Sequence, residues 1–264
     1  MSDTHYNLTT KAASSIVRQT SASERSLQMY VQFSYPLDAK HILMPPGIAE
    51  PILRPRSRMT PAPEGEAGSD VRWESYNNTS FIDAFVHTGT HVDTAFHVSK
   101  DRPNLGDFAI DDFVFEHPLL LQIAKTDKDL ILRSDLEPYD AELRGSDLLL
   151  IYTGFSRCRD TEPERYIMQQ PGFSPEAADY LVSLPKMRCV GADIMGIENI
   201  PEGRKADPPF PAHRSFLLSG KKFLILEDPN IAPLVGKSLK RAFIVPLLFP
   251  EAEAMMVTAF AEVN

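Results

Sequence analysis

The stretch His87-Thr88-Gly89-Thr90-His91-Val92-Asp93-Thr94-Ala95-Phe96-His97 holds three of the chain's seven histidines and an aspartate. A regular helix does not gather them. At 100° per residue His87 and His91 share a face, but Asp93 falls about 240° round from His87. A single strand fails in another way: the even offsets put every side chain on one face, yet His87 and Asp93 end up roughly 20 Å apart at about 3.3 Å per residue. One ion cannot bridge that span, because metal bonds to His and Asp are about 2 Å long. If these residues form one site, the backbone folds tightly within the stretch, and Gly89 is the residue that accepts the required positive φ. Two neutral imidazoles and a carboxylate suit Zn²⁺, Mn²⁺ or Fe²⁺ and leave a coordination position open, which is the arrangement of catalytic sites. Thr88 after His87 excludes the helical His-Glu-x-x-His motif of zinc proteases. A lone histidine is most often a satisfied surface or edge residue, and it is the spacing that favours a site here.

Outward from this stretch, apolar runs mark strands at Met29 to Phe33, Pro118 to Ile123, Asp147 to Tyr152, Arg188 to Ala192, Lys222 to Leu226, Ala242 to Leu248 and Met256 to Phe260. Several are continuous, as in strands covered on both faces, and a mixed sheet with helices outside it follows. Ser174-Pro175-Glu176 starts the clearest helix: Ser caps, Pro fits the first turn and Glu complements the positive end of the dipole. A second short helix begins near Pro211 and carries His213. Between Pro45 and Asp70, Pro45, Pro46, Pro51, Pro55, Pro61 and Pro63 predict a long surface loop or lid. Residues 1–25, rich in Ser, Thr and Ala, read as a tail or arm, and residues 26–264 as a single domain.

With 264 residues, 43% hydrophobic and 24% charged, the chain can bury a substantial core. Its net charge of −9 argues against nucleic acid or an anionic membrane as partner and leaves a small molecule. No apolar run approaches the roughly 20 residues that span a bilayer, and Met1 to Ala22 lacks the apolar core of a secretory signal, so a cytoplasmic location is expected. Cys158 and Cys189 form no Cys-x-x-Cys pair and read as free thiols.

The pattern His-x-Gly-Thr-His-x-Asp-x-x-x-His at residues 87–97 resembles the cyclase family of metal-dependent hydrolases, which includes bacterial kynurenine formamidase and isatin hydrolase. The resemblance begins at Phe33-Ser34-Tyr35-Pro36-Leu37-Asp38 and continues through Tyr152-Thr153-Gly154-Phe155 and Gly191-Ala192-Asp193. It ends at Ala212-His213-Arg214 and Leu224-Ile225-Leu226-Glu227. It implies an α/β fold of the swivelling β/β/α type, a mixed β-sheet or flattened barrel with outer helices, in a homodimer or homotetramer. It also implies that His87, His91 and Asp93 bind one divalent ion, Zn or Mn. His213 and Glu227 belong to a second, with one or two ions per chain, and His97 is the general acid and base. Family members commonly have Pro where this chain has Ala95. The kynurenine formamidases place an aromatic residue where Pro45 precedes Pro46-Gly47. The N-terminal extension and the Pro-rich segment are further departures.

The implied chemistry is hydrolysis of a small cyclic amide, lactone or arylformamide by a metal-activated water, with His97 carrying the proton to the leaving atom. Two alternatives stand beside it. One is a metal-dependent cyclase or dehydratase, separable by solvent-oxygen incorporation. The other is a non-catalytic metal-binding protein, disfavoured by the complete set of matched residues. Trp73 and Phe96 are candidates for lining an aromatic-binding pocket, although aromatics are more often core. His5, His41 and His117 read as surface residues, and Asp193 as a turn residue or a support to the site.

Overall fold

The computed structural model describes residues 29–38, 40–60 and 75–264; the expected tail and Trp73 lie outside the described residues. Thirteen strands follow one another along the described chain. They are β1 (Tyr30–Gln32), β2 (Ile52–Thr60), β3 (Ser75–Asp83), β4 (His91–Asp93), β5 (Val114–Phe115), β6 (Pro118–Gln122) and β7 (Leu130–Ile131). After them come β8 (Leu148–Tyr152), β9 (Gly172–Phe173), β10 (Cys189–Ala192), β11 (Leu224–Glu227), β12 (Leu239–Pro246) and β13 (Ala254–Val263). The α-helices are short: α1 (Arg133–Leu136), α2 (Asp140–Gly145), α3 (Pro163–Met168), α4 (Pro175–Ser183), α5 (Ile200–Lys205) and α6 (Pro211–Leu217). None is long and apolar enough to cross a membrane.

Nine strands form one mixed sheet in the order β5-β12-β13-β4-β11-β10-β8-β6, with β1 added against β13. β6, β8, β10 and β11 run parallel, whereas β4 is antiparallel to both β11 and β13. Side-chain alternation divides the sheet's two faces. Leu149, Ile151, Val190 and Ile225 pack with Ala177 and Leu181 of α4 and Phe216 of α6 on the helix-covered side. Leu148, Leu150, Leu224, Leu226, Val92, Phe115, Ile244 and Ala259 meet in a second cluster. One cluster drawing inward residues from strands across the whole order means the sheet curls on itself into a nearly closed barrel. The continuous apolar runs belong to strands buried on both faces, as expected.

Ser174 caps α4 by accepting from Ala177 N at 3.2 Å, and α6 carries His213, both as the sequence predicts. The expected loop from Pro45 to Asp70 is corrected over Ile52–Thr60, while residues 61–70 lie outside the described residues. Ile52–Thr60 is a strand, paired antiparallel with Ser75–Asp83 in a separate two-stranded ribbon. Both strands of such a ribbon are edges, and Pro55, opposite Ser80, is tolerated because an edge can lack a donor. β4 also escapes the sequence reading, since three residues with a single apolar side chain carry no strand periodicity.

Candidate metal centre

Tight folding of the motif is what the structure contains. Gly89 takes φ +60° in the bend before β4, and β4 is followed at once by a 3₁₀ turn, Ala95–His97. A Cβ on Gly89 would stand 3.2 Å from Leu37 Cδ2, so the position is constrained by space as well as by φ. β4 sits where the sheet changes from parallel to antiparallel. Its register sets Glu227 opposite His91 and Ile225 opposite Asp93. Residues separated by more than a hundred positions are thereby brought face to face at the carboxyl end of β11, the edge where open α/β sheets gather ligands.

The side chains converge closely. His87 Nδ1 lies 3.0 Å from Asp93 Oδ1 and 3.2 Å from His91 Nε2. His91 Nε2 lies 3.5 Å from Asp93 Oδ1 and 3.3 Å from Glu227 Oε2. His213 Nε2 lies 3.0 Å from Glu227 Oε1. The His97 ring is 4.5 Å from that of His87 and 6.2 Å from that of His213, centroid to centroid. One potential ligand atom each from His87, Asp93 and His97, and separately from His91, Asp93 and Glu227, fall within 4.8 Å of one another. All six residues singled out in the sequence therefore meet in one place, with Asp93 common to both groups. His213 reaches the cluster through Glu227.

Donor accounting distinguishes Asp93 from the rest. It is fully buried, and neither carboxylate oxygen accepts a hydrogen bond. His87 Nε2 is likewise buried without a partner. A buried carboxylate in that condition is costly unless a cation meets it. The donor set of imidazoles and carboxylates is the one that Zn²⁺ and Mn²⁺ take, so the residues fit a divalent ion.

Outer contacts aim these rings. His91 Nδ1 lies 2.7 Å from Gly89 O, which leaves Nε2 toward Asp93 and Glu227. His213 Nδ1 lies 2.8 Å from Glu198 Oε2, and the same oxygen accepts from the His213 backbone N at 2.8 Å. This is the carboxylate-to-imidazole support that ligating histidines usually have. Glu198 has no signal in the sequence, because it acts through a partner on another element. Glu253, whose Oε1 lies 3.4 Å from His87 Nε2, is a second unforeseen neighbour, and its carbonyl accepts from Thr94 N at 2.9 Å.

The same contacts move the proton equilibria. Burial alone would lower His213, but Glu198 and Glu227 outweigh it and raise its pKa to about 10. For His91, burial is again opposed by Glu227 and Asp93, which raise it to about 9. Burial would raise Glu227, yet His213 and His91 hold it well below the ordinary range. The carboxylates thus demand positive charge in this place, which protons or a metal ion can supply in competition. His97, the exposed histidine of the cluster, is lowered, mainly by the protein packed round its ring and against the attraction of Asp93.

A cavity of about 240 Å³ opens over the cluster. His87, His91, His97, His213 and Glu227 form its polar floor; Met44, Pro45, Ile48, Phe85, Met195, Ile200 and Phe210 form apolar walls. Phe96 is half-buried and is not among the lining side chains. Phe210 supplies an aromatic wall instead, at φ +54°, a conformation rare for a bulky residue. Its ring packs edge-on against His213 at 5.4 Å. Gly203 clears its space, because a Cβ there would meet Phe210 Cδ1 at 2.6 Å. Asp193 stands apart from the cavity as a turn anchor, accepting from Thr153, Gly154 and Ser156.

The profile of a family described as "Putative cyclase" matches residues 27–199. An uncharacterized protein from Haemophilus influenzae is 32% identical over 127 residues, covering 46% of this chain and 89% of its own length. Among solved structures, an isatin hydrolase bound to the product analogue thioisatinate superposes with a TM-score of 0.64 at 19% identity, over 92% of this chain and 98% of that one. Isatin hydrolase A from Labrenzia aggregata gives 0.61 at 21% identity, over 88% and 92%. A potential metal-dependent hydrolase with cyclase activity gives 0.54 at 24% identity, over 79% and 98%.

Proposed function

Because the chain belongs to the putative cyclase family, we propose that it is a metal-dependent hydrolase of a small acyl compound: a cyclic amide, a lactone or an arylformamide. The observation that carries the proposal is Asp93, whose two buried oxygens accept nothing amid three imidazoles and Glu227. The isatin hydrolases among its structural relatives act on a cyclic amide, which supports the choice of bond.

His87, His91 and Asp93 hold the first divalent ion in this reading, Zn or Mn, and Glu227 with His213 completes the site for one or two ions. When bound, such an ion acidifies water and polarises a carbonyl oxygen. The protein's own groups do the rest. The apolar walls bury the acyl body and exclude bulk water, which strengthens each charge interaction inside. Glu198 fixes the His213 ring, and the Gly89 carbonyl fixes that of His91. His97 is the exposed histidine of the cluster and so the one open to substrate. It takes a proton from the attacking water and delivers it to the leaving nitrogen or oxygen. A lowered pKa keeps its imidazole neutral and able to accept.

The test is purification without chelator, measurement of metal per chain, and assay of an N-formyl arylamine, isatin and a lactone with Zn²⁺ or Mn²⁺. Stoichiometric metal with turnover of any of these is the expected result. In His97→Ala, metal content should persist while turnover collapses; loss of the metal instead would make His97 a ligand and remove it as proton carrier.

A further inference from the structure

Among the described residues the cavity over the cluster has one cationic wall residue outside its histidines, Arg204, near the end of α5. No carboxylate of the described residues lies within 4.0 Å of its guanidinium, whereas its neighbour Lys205 is paired with Glu202 at 3.2 Å and Lys128 reaches the same carboxylate at 3.1 Å. Lone surface arginines are common. This one shares a cavity whose other described walls are apolar apart from Glu198, which is held by His213, and whose floor is the proposed reaction centre. α5 is a firm base: Asn199 caps it by accepting from Glu202 N at 3.1 Å and donates to Gln170 O at 2.7 Å. Phe210 packs against Gly203, the residue before Arg204, and against His213, so the segment that carries Arg204 is joined to the floor by an apolar wall.

We infer that Arg204 is the specificity residue of this site and selects acyl substrates that carry an anionic group, a carboxylate, at the end away from the scissile carbonyl. The inference rests on the hydrolase reading for the position of that carbonyl. A substrate with its carbonyl over the histidine floor and its apolar body along Phe85, Met195 and Phe210 brings its remaining end to Arg204. The planar guanidinium pairs with a carboxylate through two parallel N–H donors. Every other described lining side chain outside the polar floor and Glu198 is uncharged, so the choice between a neutral and an anionic substrate falls to Arg204.

Two probes separate this from simple metal affinity: benzene-1,3-dicarboxylate and 3-carbamoylbenzoate. Each keeps a carboxylate for the floor, and they differ only in the charge of the second group. With metal-loaded full-length protein, calorimetry should show the dicarboxylate binding about fivefold more tightly, as expected of a pair open to solvent, with the preference shrinking as salt is added. Arg204→Gln should bring the ratio down to about two, the statistical advantage of a symmetric diacid over a monoacid, and Arg204→Lys should keep part of the excess. A wild-type ratio no higher than that statistical value, or a ratio unchanged in Arg204→Gln, overturns the inference even if acyl substrates turn over. An Arg204-dependent ratio in a protein that hydrolyses no acyl substrate leaves the anion preference standing and removes the hydrolase reading instead.

Discussion

Asp93 and Asp228 are both 0% exposed and stand at the ends of neighbouring strands, β4 and β11, yet their surroundings treat them in opposite ways. Asp228 is saturated. Its Oδ1 accepts from Arg159 Nε at 3.0 Å and from Tyr166 Oη at 2.9 Å, and its Oδ2 accepts from Arg159 Nη2 at 2.6 Å. Arg159 in turn lies 3.7 Å over the Tyr35 ring and donates to His41 O, tying the segment after β1 to the end of β11. Asp93 accepts no hydrogen bond at either oxygen and meets only the edges of imidazoles. A folded chain can bury a carboxylate by supplying a cation of its own or by leaving room for one from solution. The first arrangement builds structure and the second builds a site.

The sharpest way to break that division is Asp93→Asn. An amide needs no counter-charge, so the variant should lose metal affinity by more than about 100-fold, beyond what changes around a ligand normally cost. Turnover should fall with it. In chelator-treated protein burial opposes the Asp93 charge, but His87 and His91 outweigh it and hold its pKa below the ordinary range, so there the same change should lower the melting temperature modestly. Metal content like that of the wild type would end the assignment of Asp93 to a cation.

Asp228→Asn should behave in the reverse sense. Removing one partner of a buried ion pair leaves the other uncompensated and costs about 3–5 kcal/mol. A urea midpoint should therefore drop substantially, while metal per folded chain holds. The backbone beside Glu227 stays fixed, because Thr90 Oγ1 donates to the Asp228 carbonyl at 2.6 Å and Asp228 N donates to Ile194 O at 3.1 Å. If the single variant does not fold, Arg159→Met with Asp228→Asn removes both charges and should recover much of the loss. A double variant no better than the single one would show that the pair is not what stabilises this corner.

This contrast marks the limit of what the sequence makes legible. The spacing of His87, His91, Asp93 and His97 demands a tight bend, and Gly89 provides it. The central strands are readable because burial on both faces leaves continuous apolar runs such as Leu148 to Ile151. β4 is not readable, since His91-Val92-Asp93 is a strand only by virtue of pairing with β11 and β13. Pro55 hides β2 for the reason that makes it tolerable, the absence of a strand on one side. Gly191-Ala192-Asp193 and Leu226-Glu227-Asp228 look alike as strands ending in acids. Which acid is open and which is saturated depends on donors from other elements, and only the folded chain counts those. Glu198, Met195, Arg204 and Phe210 carry no signal for the same reason: they reach the cavity from other elements at no fixed spacing from the motif, while Phe85, two residues before His87, is an aromatic whose place in the wall only the fold decides.

The smallest expected effect lies at another fully buried aspartate, Asp193, and it tests the comparison from the saturated side. Asp193 accepts from Thr153 Oγ1 at 2.7 Å, Gly154 N at 3.1 Å, Ser156 N at 3.4 Å and Ser156 Oγ at 2.7 Å, besides Thr153 N. With so many donors no single one is decisive. Ser156→Ala removes one hydroxyl and leaves both Asp193 oxygens with backbone N–H partners, so it should cost about 1 kcal/mol of unfolding free energy. Metal stoichiometry and turnover should stay at wild-type values, because the loop it fastens does not line the cavity. A loss of metal or activity comparable to that of Asp93→Asn would mean that Asp193 also serves the ion. The number of donors a buried carboxylate has would then no longer distinguish the aspartates that build this fold from the one that binds.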